Sequence, residues 1–353
     1  MAGADIVFDG LSKRYGATMA LHDFHLHVQP GEFMTLLGPS GSGKTTALNA
    51  LAGFLSPDVG DIRVGGKSVL HLPPEQRMLG MVFQSYTLFP HMNVYDNVAF
   101  PLRLRRMSRT AIRSKVQAVL DMVQLPDHAL RMPKELSGGQ QQRVAFARAI
   151  VSEPPVLLMD EPLSALDLKL RQAMQLEIKQ YHAALGCSIL FVTHDQEEAL
   201  VLSDRVAVMS EGMIRQVDTP HNIYDRPGSR YVAEFIGKTN LFHIERQTDG
   251  GAKVLETGAQ VDPGILGGKS AVIVSVRPEK IRRKQAGDGR TSVFVGVAQE
   301  VVFLGSRIQY GVRVDSGSLV LVQEHRGAQA QTVTAGSRLE LEFSLDDALP
   351  VAE

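Results

Sequence analysis

Eight residues, Gly38-Pro39-Ser40-Gly41-Ser42-Gly43-Lys44-Thr45, fit the spacing G-x-x-x-x-G-K-[ST]. Such a loop works only between a strand and a helix. The glycines let successive backbone N–H groups turn inward around one anion, and the helix adds free N–H groups and the positive end of its dipole. The flanks fit. Phe33–Leu37 (FMTLL) is a short apolar run ending at the first glycine, and Thr45–Leu55 places Leu48, Leu51, Ala52 and Leu55 on one helical face. The expectation is a nucleotide phosphate site, with Lys44 reaching the β- and γ-phosphates and Thr45 ligating Mg²⁺.

The pattern continues as strand–helix–strand. Val156–Met159 (VLLM) and Ser188–Val192 (SILFV) are continuous apolar runs. Between them Leu166, Leu170, Met174, Ile178 and Tyr181 recur at helical spacing. Such runs imply an α/β domain with a mostly parallel sheet buried on both faces. The first run ends in Asp160-Glu161. Asp160 sits where a Mg²⁺-coordinating carboxylate belongs, and Glu161, just beyond it, can polarise an attacking water. Leu136-Ser137-Gly138-Gly139-Gln140 then opens a helix over Gln140–Ile150, a second N-terminus suited to an anion. One chain holds one γ-phosphate at its loop, so a second phosphate-binding turn suggests that two chains share each nucleotide.

With these motifs in this order, residues 5–235 resemble the ATP-binding subunit of an ABC transporter. The resemblance implies a P-loop NTPase (ABC ATPase) fold and a role for each matching residue. Tyr15 stacks on adenine. Gly38, Ser40, Gly41, Ser42, Gly43, Lys44, Thr45 and Thr46 form the Walker A loop. Gln84, in Val82-Phe83-Gln84-Ser85, is the Q-loop residue, touching Mg²⁺ and the attacking water. Asp160 closes Walker B, Glu161 is the catalytic glutamate, and Ser164–Asp167 is the D-loop. His194, in Val192-Thr193-His194-Asp195, is the switch histidine, holding the γ-phosphate and Glu161 in register. Ser137 and Gly139 bind the γ-phosphate held by a second copy of the chain, and Gly138, Gln140 and Asp167 are likewise nucleotide-binding. The implied reaction is hydrolysis of ATP with Mg²⁺, catalysed by Lys44, Gln84, Glu161 and His194, with Thr45, Gln84 and Asp160 on the metal. The other ten histidines are assigned no metal.

The segment around residues 86–150 is then the helical subdomain that meets a permease. Tyr86, Leu88 and Phe89 are candidates for a groove taking a cytoplasmic helix of that permease. The run Arg103, Arg105, Arg106, Arg109 and Arg113 could face lipid headgroups or the permease, and reads better as a solvated helix face.

Composition shifts near residue 236, from alternating patterns to short β-type runs: Ala271–Val276, Ser292–Val297, Arg307–Val314, Ser318–Gln323 and Arg338–Ser344. An all-β domain over 236–353 is expected. With Ser275-Val276-Arg277-Pro278-Glu279 it resembles the OB-like TOBE domain of bacterial importers, as a regulatory module. Importers with this tail carry polyamines, ferric iron, phosphonates, opines, thiamine, sulfate or sugars. The wording of Phe83–Phe100 and Phe235–Asn240 is most like the polyamine, iron and phosphonate group, and polyamine is favoured. Arg277, Lys280, Arg282, Arg283 and Lys284 mark either an anion site or a solvated strand end.

Lys+Arg 37 against Asp+Glu 38 gives a net charge of −1, which argues against a nucleic-acid-coating role and so against a soluble ABC ATPase acting on nucleic acid. One cysteine, Cys187, excludes an intrachain disulfide and any cysteine-cluster zinc site. The opening MAGADIVFDG lacks a signal-peptide pattern, and no run approaches the ~18 apolar residues of a membrane-spanning helix. A soluble protein is therefore expected, peripheral on the cytoplasmic face of the inner (plasma) membrane. Its permease is a separate protein, and a periplasmic or extracellular solute-binding protein is linked to it only indirectly.

Overall fold

The computed structural model describes residues 3–85, 88–284, 291–326 and 333–352. The chain divides into two compact units, Met1–Pro220 and His221–Glu353.

The first unit runs β1 (Ile6–Tyr15), β2 (Thr18–Val28), β3 (Phe33–Leu37), α1 (Lys44–Ala52), β4 (Val59–Val64), β5 (Lys67–Ser68), β6 (Gly80–Val82), α2 (Val94–Leu104), α3 (Arg109–Met122), α4 (Gly138–Ile150), β7 (Val156–Asp160), α5 (Leu168–Leu185), β8 (Ser188–Thr193), α6 (Gln196–Leu202), β9 (Arg205–Ser210) and β10 (Met213–Asp218). Its main sheet has the order β10-β9-β3-β8-β7-β6, and only β10 is antiparallel to its neighbour. The expected central strands are buried on both faces. Phe33, Met159 and Phe191 join one core with α4 and α5. Met34, Leu158 and Leu190 join the other with α1 and an antiparallel sheet of order β2-β1-β4-β5. The register pairs Leu37 with Thr193 and Asp160 with Val192, so β3, β7 and β8 finish at one level. That level is where open α/β sheets bind ligands.

The helix expected to reach Leu55 stops at Ala52. Gly53 (φ 88°) takes the left-handed C-cap, and the buried Arg77 guanidinium donates to Ala50 O (2.7 Å), Leu51 O (2.8 Å) and Leu72 O (2.9 Å). The last-turn carbonyls that a helix leaves unpaired are thus satisfied by a side chain 26 positions or more away. Between β6 and β7, α2, α3 and α4 fill the stretch expected to be helical. In α3, Ile112, Val116 and Leu120 form the buried stripe.

The second unit begins with α7 (Pro220–Asp225) and α8 (Arg230–Phe235). It continues with β11 (Asn240–Arg246), β12 (Ala252–Val254), β13 (Gln260–Val261), β14 (Ala271–Val276), β15 (Arg282–Arg283), β16 (Thr291–Phe303), β17 (Arg307–Val314), β18 (Leu319–His325), β19 (Arg338–Ser344) and β20 (Leu349–Val351). Two antiparallel sheets, β13-β12-β11-β14-β20 and β15-β19-β16-β17-β18, enclose one core in which Phe242 stacks on Phe343 at 5.2 Å. Asn240 ties them together, donating to Leu321 O (2.9 Å) and accepting from Leu321 N–H (2.7 Å) as a backbone strand would. The division read from composition at residue 235 compares with a spatial one at Pro220: α7 and α8 go with the β-rich unit. Arg277 supplies the reason. Its buried guanidinium donates to Tyr224 O (2.8 Å), Ala233 O (3.0 Å) and Lys238 O (3.3 Å) and lies 4.4 Å from the Tyr224 ring. The other basic residues there meet carboxylates: Lys280 with Asp347, Arg282 with Glu342, Arg283 with Glu324, Lys284 with Glu340. The reading of this run as an anion site is not upheld, because its cations are already matched within the chain.

Candidate nucleotide site

The loop Gly38–Thr45 leaves the buried end of β3 and enters α1. Gly43 (φ 99°) admits no side chain, since a Cβ would lie 2.4 Å from Ala20 O. At Gly38 a Cβ would lie 2.4 Å from Met209 O. The loop therefore keeps its curvature only with hydrogen at these positions. Lys44 is buried, and its Nζ donates to Gly38 O (2.8 Å) and Pro39 O (2.9 Å), so the ammonium sits inside the loop. Burial holds it below the usual lysine range, while the Glu161 and Asp160 carboxylates oppose that. Ser42 is buried; Ser40, Gly41 and Thr45 are exposed, and Thr46 is half-buried.

Two groups of side chains converge beside the loop. In the first, Thr45 Oγ1 donates to Asp160 Oδ1 at 3.3 Å, and burial raises Asp160 above the ordinary carboxylate value. In the second, Glu161 Oε2 lies 3.1 Å from His194 Nδ1 and accepts from Gln84 Nε2 at 3.3 Å. Four of the expected functional residues thus come from the ends of β6, β7 and β8. Glu161 carries a left-handed backbone (φ 44°), rare for a residue with a side chain, and its carbonyl accepts from Ser164 Oγ at 2.9 Å.

Tyr15, at the end of β1, is half exposed, with Lys13 Nζ 5.8 Å from its ring centre. Ser137 and Gln140 cap α4 reciprocally: Ser137 Oγ accepts from Gln140 N–H at 3.3 Å, and Gln140 Oε1 accepts from Ser137 N–H at 2.9 Å. Gly138 is exposed, and a Cβ on Gly139 would lie 2.9 Å from Leu170 Cδ1. Asp167 caps α5, accepting from Leu170 N–H at 2.9 Å. Among the described residues no hydrogen bond links Ser137–Gln140 or Asp167 to the phosphate loop, Asp160, Glu161 or His194.

The comparisons with known proteins now bear on this geometry. The family described as ABC transporter matches residues 21–164, and the TOBE domain matches 274–350. Three relatives bear the name spermidine/putrescine import ATP-binding protein PotA. That of Thermotoga maritima is 43% identical over 91% of this chain and 90% of its own. Those of Thermobifida fusca and Treponema pallidum are each 44% identical, over 96% and 92% of this chain and 91% and 90% of theirs. The chain belongs to the ABC transporter family. It is an ATP-binding subunit of this ATP-hydrolysing class. Two solved dimeric structures of an ABC transporter cassette, one bound to ADP and Pi, match it at 30% and 32% identity with TM-scores of 0.54 and 0.55. Each covers 61% of this chain and 98% of the cassette.

In this ABC ATPase the donors near Asp160 suit Mg²⁺. A hydroxyl and a carboxylate stand 3.3 Å apart, with an amide at Gln84 close to the neighbouring Glu161, and all offer hard oxygen. No group of three or more His, Cys, Asp or Glu placed to hold a metal ion occurs among the described residues. A cleft of about 430 Å³ opens beside β6, walled by Met81, Phe83, Phe89, Phe100, Arg105 and Arg148. Phe89, one of the groove candidates, packs its ring at a tilt against Phe100, centres 4.7 Å apart; Leu88 packs on the core beside α2; Tyr86 lies outside the described residues. Of the arginine run, Arg103 pairs with Asp96, and Arg105 donates to Ser152 O. No helix of the described residues is long and apolar enough to cross a membrane.

Sequence reasoning left Arg171, Asp195 and Glu198 without a role. They form a polar cluster that includes Asp195, the residue following His194. The signal was present as Asp195 and Glu198 at the start of a helix, but nothing in the sequence brings Arg171 to them.

Proposed function

We propose that two copies of this chain close around two ATP molecules, hydrolyse them, and so drive polyamine uptake through a separate permease. The meeting of Gln84, Glu161 and His194 beside a lysine-lined phosphate loop is the observation that supports the hydrolytic reading. Lys44 and the loop N–H groups hold the β- and γ-phosphates. Glu161 orients and polarises the attacking water, and His194 and Gln84 hold its carboxylate in place. Thr45, Gln84 and Asp160 would hold Mg²⁺, which supplies charge neutralisation at the phosphates. Tyr15 offers a half-exposed ring for adenine.

Ser137, Gly138, Gly139, Gln140 and Asp167 lie outside the hydrogen-bonded site of their own chain, and the solved cassettes are dimers. Both facts support a site completed by the partner. Closure on ATP follows from the extra contacts that the closed state offers. The ATPase unit works at the cytoplasmic face of the membrane, and Phe89 and its cleft receive the permease. The β-rich unit acts as a TOBE-like regulatory module. Polyamine specificity rests on relatives named for spermidine and putrescine, alike over most of the chain. The solute itself is selected by the permease and a binding protein.

The test is a membrane pull-down with tagged Glu161→Gln protein and ATP, followed by labelled spermidine uptake in cells lacking the gene. Co-purified polytopic permeases and lost uptake are expected. Ribosomes or DNA-repair proteins without a membrane partner would overturn the importer reading. Lost uptake of iron, a phosphonate or a sugar instead would reassign the solute alone.

A further inference from the structure

We propose that Arg171 is a positioning residue for hydrolysis, clamping the loop that carries Asp167 to the loop that carries His194. Its guanidinium, in the first turn of α5, reaches both. Nη2 donates to Leu166 O at 3.2 Å, and Nη1 donates to the Asp195 carboxylate at 2.8 Å. Nε faces Glu198 at 3.8 Å and is buried with no hydrogen-bond partner among the described residues, so the carboxylate is held to it by charge alone. Glu198 is almost fully buried and accepts from Thr193 Oγ1 at 2.6 Å; the same hydroxyl accepts from Asp195 N–H at 3.0 Å. Asp195 Oδ1 in turn caps α6 through Glu197 N–H (2.8 Å) and Glu198 N–H (3.2 Å).

His194 itself is more than half exposed, and among the described residues its one ion-pair contact is with Glu161. The residues on either side of it are fixed by this network, so its imidazole is aimed by backbone that Arg171 holds. A planar fork satisfies a carbonyl and a carboxylate at once, which an ammonium on a flexible stem does not. The partly buried charges compensate one another, and removing the arginine leaves two carboxylates facing each other. Leu166 and Asp167 belong to the segment proposed to face the second copy. The clamp therefore passes movement of that segment to His194.

This inference rests on the reading of Glu161 and His194 as acting on the γ-phosphate and its water. Steady-state ATPase rates and ATP binding by calorimetry on the full chain test both readings. Arg171→Met is expected to lower kcat roughly tenfold with ATP affinity within about twofold, and Arg171→Lys to recover only part of the loss. The deciding readout is a double-mutant cycle. If Arg171 acts through His194, Arg171→Met adds nothing to the loss caused by His194→Ala. Unchanged kcat in Arg171→Met, or losses that multiply in the double variant, would overturn the clamp. Thermal melts check folding, and if Arg171→Met does not fold, Arg171→Lys enters the same cycle. A Glu161→Gln protein that still hydrolyses ATP at the normal rate would overturn the site reading instead.

Discussion

Lys44 shows how a residue is prepared for its ligand before the ligand arrives. Its ammonium is buried among carbonyls and lies near two carboxylates, so its charge is held where phosphate oxygens would come. Lys44→Ala is expected to lower ATP affinity at least ~100-fold, a loss of about 3 kcal/mol, as a deleted charge-assisted contact in a desolvated site implies. Calorimetry with ATP checks this, and normal affinity would refute the loop reading. Glu161→Gln keeps shape and loses charge. It should bind ATP with normal affinity and stall, accumulating a dimer visible by gel filtration; a monomer that turns over ATP would remove Glu161 from the mechanism. At this scale the sequence was most informative, because the loop, Asp160, Glu161 and His194 each sit at the end of an apolar run that had to be a central strand. Arg171 and Arg77 were not legible. Both act through backbone carbonyls and side chains brought in by tertiary packing, and no local pattern encodes such partners.

Elements owe their ends to similar long-range contacts. The first helix was expected to run to Leu55, since Leu55 continues its apolar face; Gly53 and the distant Arg77 end it three residues earlier. Arg77→Met is expected to destabilise the first unit by about 2–4 kcal/mol, because the Ala50, Leu51 and Leu72 carbonyls lose a buried charged donor. Urea unfolding followed by circular dichroism measures the difference. Helix α6 gives a pH prediction. Burial raises Glu198 above its ordinary value, with Asp195 adding to the shift and Thr193, Arg171 and His194 opposing it. The folded chain then binds this proton more tightly than the unfolded chain. The stability it contributes is full below the unfolded value, about 4.3, and is lost as pH rises through the raised folded value. Melting temperatures of Glu198→Gln across that interval should lack this decline; identical pH profiles for variant and wild type would show that Glu198 is not the source. Strands β1, β2 and β10 escaped sequence reasoning because half-buried strands with polar outward faces carry a weaker signal than FMTLL or SILFV.

For the whole molecule, a composite site makes a quantitative demand. Ser137→Arg is expected to bind ATP and lose hydrolysis, and Lys44→Ala to lose both. Mixed in equal amounts, the two inactive proteins form hybrid dimers in which one site joins an intact loop to an intact Ser137 turn. About a quarter of the wild-type sites should return, since half the dimers are hybrids with one good site each. No recovery in a coupled ATPase assay would mean that each chain hydrolyses ATP alone. The two-unit organisation was legible as a change in pattern, but the break near Pro220 was not. It depends on Arg277 gathering the carbonyls of α7 and α8, and Arg277 read only as part of an anion site or a solvated strand end. The backbone at Glu161 carries one more consequence. Its left-handed φ of 44° suits glycine better than any side chain, so Glu161→Gly would relax the turn and gain on the order of 1 kcal/mol of folding stability while abolishing turnover. A laboratory selection for heat resistance alone would drift toward that silent, sturdier chain, and only a simultaneous demand for transport would keep the carboxylate in place.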